Sequence, residues 1–156
     1  KVDVKASDYK DVYVTNLHGL YAVTVVAVKG GTRTSQSIEF AGLDYKPYGT
    51  GVYHSDMFGD LGTVNVEYSE VGSRYRIKDV WGVDHGFAFS INGTKVTVYP
   101  QTIVTGREHP RYGMISANDQ SGSTYDETTK TVTFNFLFSV SAGSFGVKAE
   151  TLQLNN

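Results

Sequence analysis

The sequence predicts an all-β protein of about ten short strands altogether, an antiparallel β-sandwich or flattened β-barrel with an N-terminal meander. Composition is the first reason: Tyr 11, Phe 8 and Gly 17 against Met 2 and Pro 3 favour pleated, half-buried strands broken by glycine turns. The second is the segment Thr131 to Val140, where Val132, Phe134, Phe136, Phe138 and Val140 fall on one face at strict period two. The third is Asn92-Gly93 between two alternating runs, a strong short-range hairpin signal because a type I′ turn needs positive φ at both central residues.

Taken in order, Asp11 to Leu17 reads as a first strand and Tyr21 to Val28 as a second. The second, Tyr-Ala-Val-Thr-Val-Val-Ala-Val, is apolar on both faces, as expected of a strand covered on two sides or lying in an interface. After the turn Lys29-Gly30-Gly31-Thr32, Ser35 to Phe40 completes the meander. Asp44, Lys46 and Pro47 then interrupt the pattern, so a boundary is expected here, with residues 1–45 as an accessory sheet and 46–156 as the main domain. Strands are expected at Gly51 to Ser55, Gly62 to Tyr68, Arg74 to Lys78, Gly86 to Ile91 and Lys95 to Tyr99. Val104 to Arg111 reads as irregular, Tyr112 to Ala117 as a short strand and Asn118 to Ser123 as a loop. The stripe and a closing strand, Ser144 to Leu154, finish the chain, and the phenylalanines are expected to wall the core.

Charge and residue usage narrow the function. A formal net charge of −2, with both signs mixed along the chain, offers no basic stripe for a phosphate backbone, so nucleic acid is not an expected partner. With no cysteine there is neither a disulfide nor a thiolate metal site. No apolar run approaches the roughly 20 residues of a membrane-spanning helix. Lys1 opens on polar sequence without a signal-peptide core, so the chain is expected to be cytosolic or already trimmed.

Candidates for chemistry are scattered. His18, His54, His85 and His109 lack zinc-motif spacing; only His54 with Asp56 and Asp84 with His85 set a carboxylate nearby in sequence, and polar turns commonly hold both residue types. Glu67, Glu70, Asp79, Asp84, Glu108 and Asp119 could supply a hydrolytic carboxylate pair in many geometries. No Gly-x-Ser-x-Gly elbow occurs, and the loop Asn118-Asp119-Gln120-Ser121-Gly122 lacks the alternating acids of a calcium loop. No cofactor, metal or catalytic residue is assigned. The aromatics are more suggestive: Tyr48, Tyr53, Trp81 and Tyr112 sit beside glycines or turn residues, and a flat ring next to hydrogen-bonding groups suits a sugar face, while end caps of the core are the plainer alternative.

Two stretches carry a resemblance. Leu17 to Phe40, with Tyr21-Ala22-Val23-Thr24-Val25-Val26-Ala27, resembles the last strands of a fibronectin type III or immunoglobulin-like domain. Gly49-Thr50-Gly51-Val52-Tyr53, Arg74 to Asp79, Val96 to Gln101 and Ser141 to Gly146 occur in an order similar to all-β domains of surface lipoproteins from gut Bacteroidetes. The resemblance implies an exported protein at the cell surface or outer membrane, held to the membrane only through a lipid anchor outside this chain. It also implies an immunoglobulin-like N-terminal segment, and it brings no catalytic residues.

The function expected from all this is non-catalytic binding of a polysaccharide or glycoconjugate, with stacking from Trp81 and Tyr53 and hydrogen bonds from Asp79, His85 or Arg111. A spacer or protein-assembly module is the first alternative, with Tyr21 to Val28 packed on another chain. A small hydrolase is the second.

Overall fold

The phenylalanine stripe is the wall around which the main unit closes. The computed structural model describes residues 19–155, with no helix and twelve strands among them. The chain divides into two compact units that meet between Leu43 and Asp44.

In the first unit β1 (Gly19–Lys29) and β2 (Thr32–Gly42) form a two-stranded antiparallel ribbon, with Lys29 opposite Thr32 across the Gly30-Gly31 turn. Val23, Val25, Val26, Val28 and Ile38 are all exposed on it. The expected first strand, Asp11 to Leu17, lies outside the described residues.

The second unit holds β3 (Lys46–Ser55), β4 (Gly59–Ser69), β5 (Arg74–Gly82), β6 (His85–Asn92), β7 (Lys95–Tyr99), β8 (Thr102–His109), β9 (Gly113–Asp119), β10 (Thr124–Asp126), β11 (Thr131–Val140) and β12 (Gly143–Leu154). Pairing runs β10-β7-β6-β5-β4-β3-β12-β11, and β10 pairs back onto β11, closing an eight-stranded antiparallel barrel. Closure removes sheet edges that would otherwise offer unpaired backbone to other chains. The hairpin β8–β9 is an excursion between β7 and β10, and β9 pairs the second half of β11 from Phe136 to Ser139. Of the two architectures expected, the barrel is the one found.

Period-two alternation fills the interior. Val132, Phe134, Phe136 and Phe138 are fully buried and meet Phe87, Phe89, Trp81, Tyr53, Ile77 and Leu152. Phe87 lies edge-on to Phe134 and Phe136, and Phe89 edge-on to Phe134, with ring centroids 4.9–5.2 Å apart, the arrangement that aligns positive ring edges with negative faces.

Several expectations are corrected. Lys46 and Pro47 do not break the chain: both lie on β3, where a register shift between Pro47 and Gly49 absorbs the irregularity. β12 pairs only with Gly51–Ser55, so Pro47 occupies a stretch of β3 where a missing donor is tolerated. The segment expected to be irregular, Val104 to Arg111, is mostly β8, disguised by a register shift between Val104 and Glu108. In the β6–β7 hairpin Asn92 pairs with Lys95, so Gly93 and Thr94 are the central residues; only Gly93 has positive φ, +60°, the type II′ pattern rather than type I′.

Candidate functional site

The two expected stacking residues are inside the barrel. Trp81 is 1% exposed and Tyr53 0%, so neither ring has a face free for a ligand. The cause is a large bulge on β5. Ile77 pairs with Phe87 and Gly82 with His85, leaving Lys78, Asp79, Val80 and Trp81 opposite Gly86 alone. The bulge breaks period two, so the consecutive Val80 and Trp81 are both buried. Gly86 makes it possible: a Cβ there would lie 1.8 Å from the Ile77 carbonyl oxygen.

Behind Trp81 lies a residue that sequence reasoning passed over. Glu150 is fully buried on β12, opposite Phe134 on one side and Ser55 on the other. Its Oε1 accepts a 2.6 Å hydrogen bond from the Ser55 hydroxyl, whose oxygen accepts in turn from the backbone N–H groups of Met57 and Phe58. The carboxylate therefore anchors the β3–β4 turn. Tyr53 OH and Trp81 Nε1 approach it without completing a hydrogen bond, and Oε2 has no partner. Desolvation outweighs these donors and pushes the Glu150 carboxyl up to about 7, while burial beside Glu150 raises the Tyr53 phenol. The available signal was parity: Glu150 shares the inward phase of Leu152 and Leu154.

The other three expected contacts do not surround Trp81. Asp79 Oδ1 accepts from the Asp84 N–H at 2.7 Å, closing the β5–β6 turn. His85 Nδ1 lies 3.1 Å from the Val104 carbonyl oxygen, so that nitrogen carries the proton and ties β6 to β8. Arg107 adds a tie from β8 to β5, its Nε donating to the Trp81 carbonyl at 2.8 Å. Arg111 sits in the β8–β9 turn with its guanidinium 5.4 Å from the Tyr112 ring.

The two His–carboxylate neighbours in sequence also resolve. Asp60 and Asp56 approach opposite ring nitrogens of His54, at 2.5 and 3.5 Å, so the ring bridges two carboxylates that do not converge on one ion. The Asp60 hydrogen bond raises the His54 pKa. Asp84 pairs with Lys78 at 2.9 Å rather than with His85.

What the fold does gather is tyrosine. β4 and β5 are joined by a tight turn, and residues equidistant from it pair: Ser69 with Arg74 and Tyr68 with Tyr75. Tyr48 enters from the start of β3. The three rings pack with centroids 4.8–6.0 Å apart, and Tyr75 stacks on Phe89 at 5.4 Å, which serves as the floor of this barrel end. Burial first, then Tyr48 beside it, pushes the Tyr75 phenol up to about 12, so it stays protonated and able to donate. Tyr48 is held by its two neighbours yet remains 42% exposed.

No protein-family model, curated protein or solved structure matches the chain.

A cavity of about 290 Å³ opens beside these rings, lined by Asp44, Lys46, Tyr48, Tyr68, Ser69 and Glu70 among others. Outside it, Arg76 forms a 2.6 Å ion pair with Glu67 and lies 4.0 Å from the Tyr45 ring, while Arg74 lies 3.7 Å from the Tyr99 ring. These cation–π contacts fix the strands that carry Tyr68 and Tyr75. The arrangement offers an aromatic face framed by carboxylate, ammonium and hydroxyl groups. Of its core residues only Tyr48 stood out in the sequence; the equal spacing of Tyr68 and Tyr75 about Val71-Gly72 was the signal for the other two.

Proposed function

We propose that this chain is a non-catalytic binding module for a polysaccharide or glycoconjugate, and that the tyrosine end of the barrel receives the sugar. The observation that carries this reading is Tyr48: a ring packed against Tyr68 and Tyr75, 42% exposed, beside a cavity edged by Asp44 and Glu70. The C–H face of a pyranose stacks on such a ring while its hydroxyls bond to carboxylates. On this reading the resemblance to surface lipoproteins of gut Bacteroidetes supplies the setting, an exported protein at the cell surface with its anchor elsewhere. A glycan array probed with the whole chain is expected to reveal binding. Tyr48→Ala, at a position too exposed to disturb the core, is expected to weaken it roughly tenfold, equivalent to about 1.4 kcal/mol. Binding unchanged in Tyr48→Ala, or a blank array, would remove the tyrosine end from consideration.

A second reading, assembly with another copy of the chain, is favoured by the ribbon. Val25 and Ile38 are 66% and 64% exposed, on opposite strands, and a lone two-stranded ribbon is marginal in water. Pairing of two ribbons would cover these two side chains. Sedimentation equilibrium is expected to give a dimer that Val25→Lys dissociates; a monomer at all concentrations argues against this reading.

A further inference from the structure

We propose a second sugar-binding site, separate from the tyrosine end, in the cavity where β7, β9 and β10 converge, with Asp119 as its central acceptor. The cavity measures about 520 Å³, enough for one or two pyranose rings, and its lining includes Lys95, Thr97, Gln101, Asp119, Gln120 and Ser121.

Asp119 ends β9, and its backbone N–H donates to the Gln101 carbonyl at 2.7 Å, which fixes the side chain at the cavity. Its Oδ1 is buried without a hydrogen-bond partner, and desolvation raises its pKa. A buried acceptor left unpaired costs folding free energy, so its retention points to a partner from outside. Glu150 Oε2 is also unpaired, but it lies in the packed interior, whereas the Asp119 side chain lines this cavity, so that a small turn of its carboxylate brings the unpaired oxygen to an entering hydroxyl.

The neighbours indicate what that partner offers. The Gln101 amide N–H donates to the Val98 carbonyl, and the Gln120 amide to the carbonyls of Asn118 and Asp119. With both donors of Gln120 committed and one of the two on Gln101, these side chains keep their oxygens as acceptors. Three acceptors thus border the cavity, and Lys95 with the Thr97 and Ser121 hydroxyls supplies donors. One ammonium balances one carboxylate, so the best fit is a neutral molecule carrying many hydroxyls rather than an ion. A single carboxylate is also a poor set for calcium, which takes six to eight oxygens.

The test is a two-dimensional amide NMR titration of the whole chain with methyl glycosides of glucose, galactose, mannose and N-acetylglucosamine, and in a separate arm with calcium chloride. Saturable shifts confined to residues 94–97 and 119–124 are expected with at least one glycoside. Asp119→Ala is expected to weaken that binding at least about tenfold while thermal stability is kept or raised, since an unpaired carboxylate is removed. If Asp119→Ala fails to fold, Asp119→Asn, which keeps one acceptor oxygen, is expected to show a smaller loss. The proposal is overturned if no glycoside shifts these amides, if the shifts persist undiminished in the Asp119 variant, or if only calcium produces them. Shifts at Tyr48, Tyr68 and Tyr75 alone would support the tyrosine end and reject this site, so the two can fail separately.

Discussion

Truncating Trp81 to alanine is expected to cost about 3–5 kcal/mol, the range for removing a large buried aromatic. Trp81 lies within 5.3–6.0 Å, centroid to centroid, of Phe87, Phe136 and Phe138, and its carbonyl accepts from Arg107. Removing the ring leaves three phenylalanines facing a void. A domain of this size is stable by roughly 5–15 kcal/mol, so the variant is expected to be partly or wholly unfolded at physiological temperature. Trp81 is the single tryptophan, so the loss has to be followed by circular dichroism in urea rather than by indole fluorescence. Trp81→Phe is expected to lose much less, because a ring still fills most of the space. An unchanged urea midpoint in Trp81→Ala would contradict the burial described here. A binding assay with Trp81→Ala alone would mistake unfolding for loss of a ligand contact.

The second large effect belongs to Glu150. Its carboxyl titrates near 4.5 in the unfolded chain and about 7 in the folded one, because burial penalises the charged form. Between those values the folded state binds more protons than the unfolded state, so stability falls as pH rises. The contribution is fully present below pH 4.5 and lost above about 7, a difference of about 3 kcal/mol. Urea midpoints are expected to decline from pH 5 to pH 8. His54, whose pKa is also raised, and Asp119 act in the same direction, so the slope alone does not identify the residue. Glu150→Gln keeps the hydrogen bond from Ser55 and removes the titration. Its midpoint is expected to vary much less over this range and to exceed that of the parent at pH 8. A slope equal to the parent's would assign the effect elsewhere.

Sequence legibility followed the range of the interactions. Phe134, Phe136 and Phe138 announced a buried face because alternation is a local property of one strand. The hairpins around Gly93 and after Val140 were local too. The β5 bulge was not legible, since it depends on Gly86 allowing two backbones to approach across strands, and it alone decides that Trp81 points inward. β8 was hidden for the same reason: its register shift spoils the alternation that marks a strand. The tyrosine end draws one ring from β3, one from β4 and one from β5. Asp119 read as a polar-loop residue and one of six scattered carboxylates until the fold set it in the lining of a cavity.

The seam between β3 and β12 bears on how the chain acquires its structure. It joins Gly51 to Leu154, and the Ser55–Glu150 hydrogen bond within it spans 95 residues of sequence. During synthesis the hairpins from β3 to β7 can form as they emerge, but the ring stays open until the last strand has been made. Contacts so distant place this chain among slow folders, on the millisecond-to-second scale typical of non-local β topologies. Until then the phenylalanine-rich interior is exposed to its surroundings, so the interval between finishing β11 and docking β12 is when the nascent protein is most prone to aggregate and most in need of a chaperone.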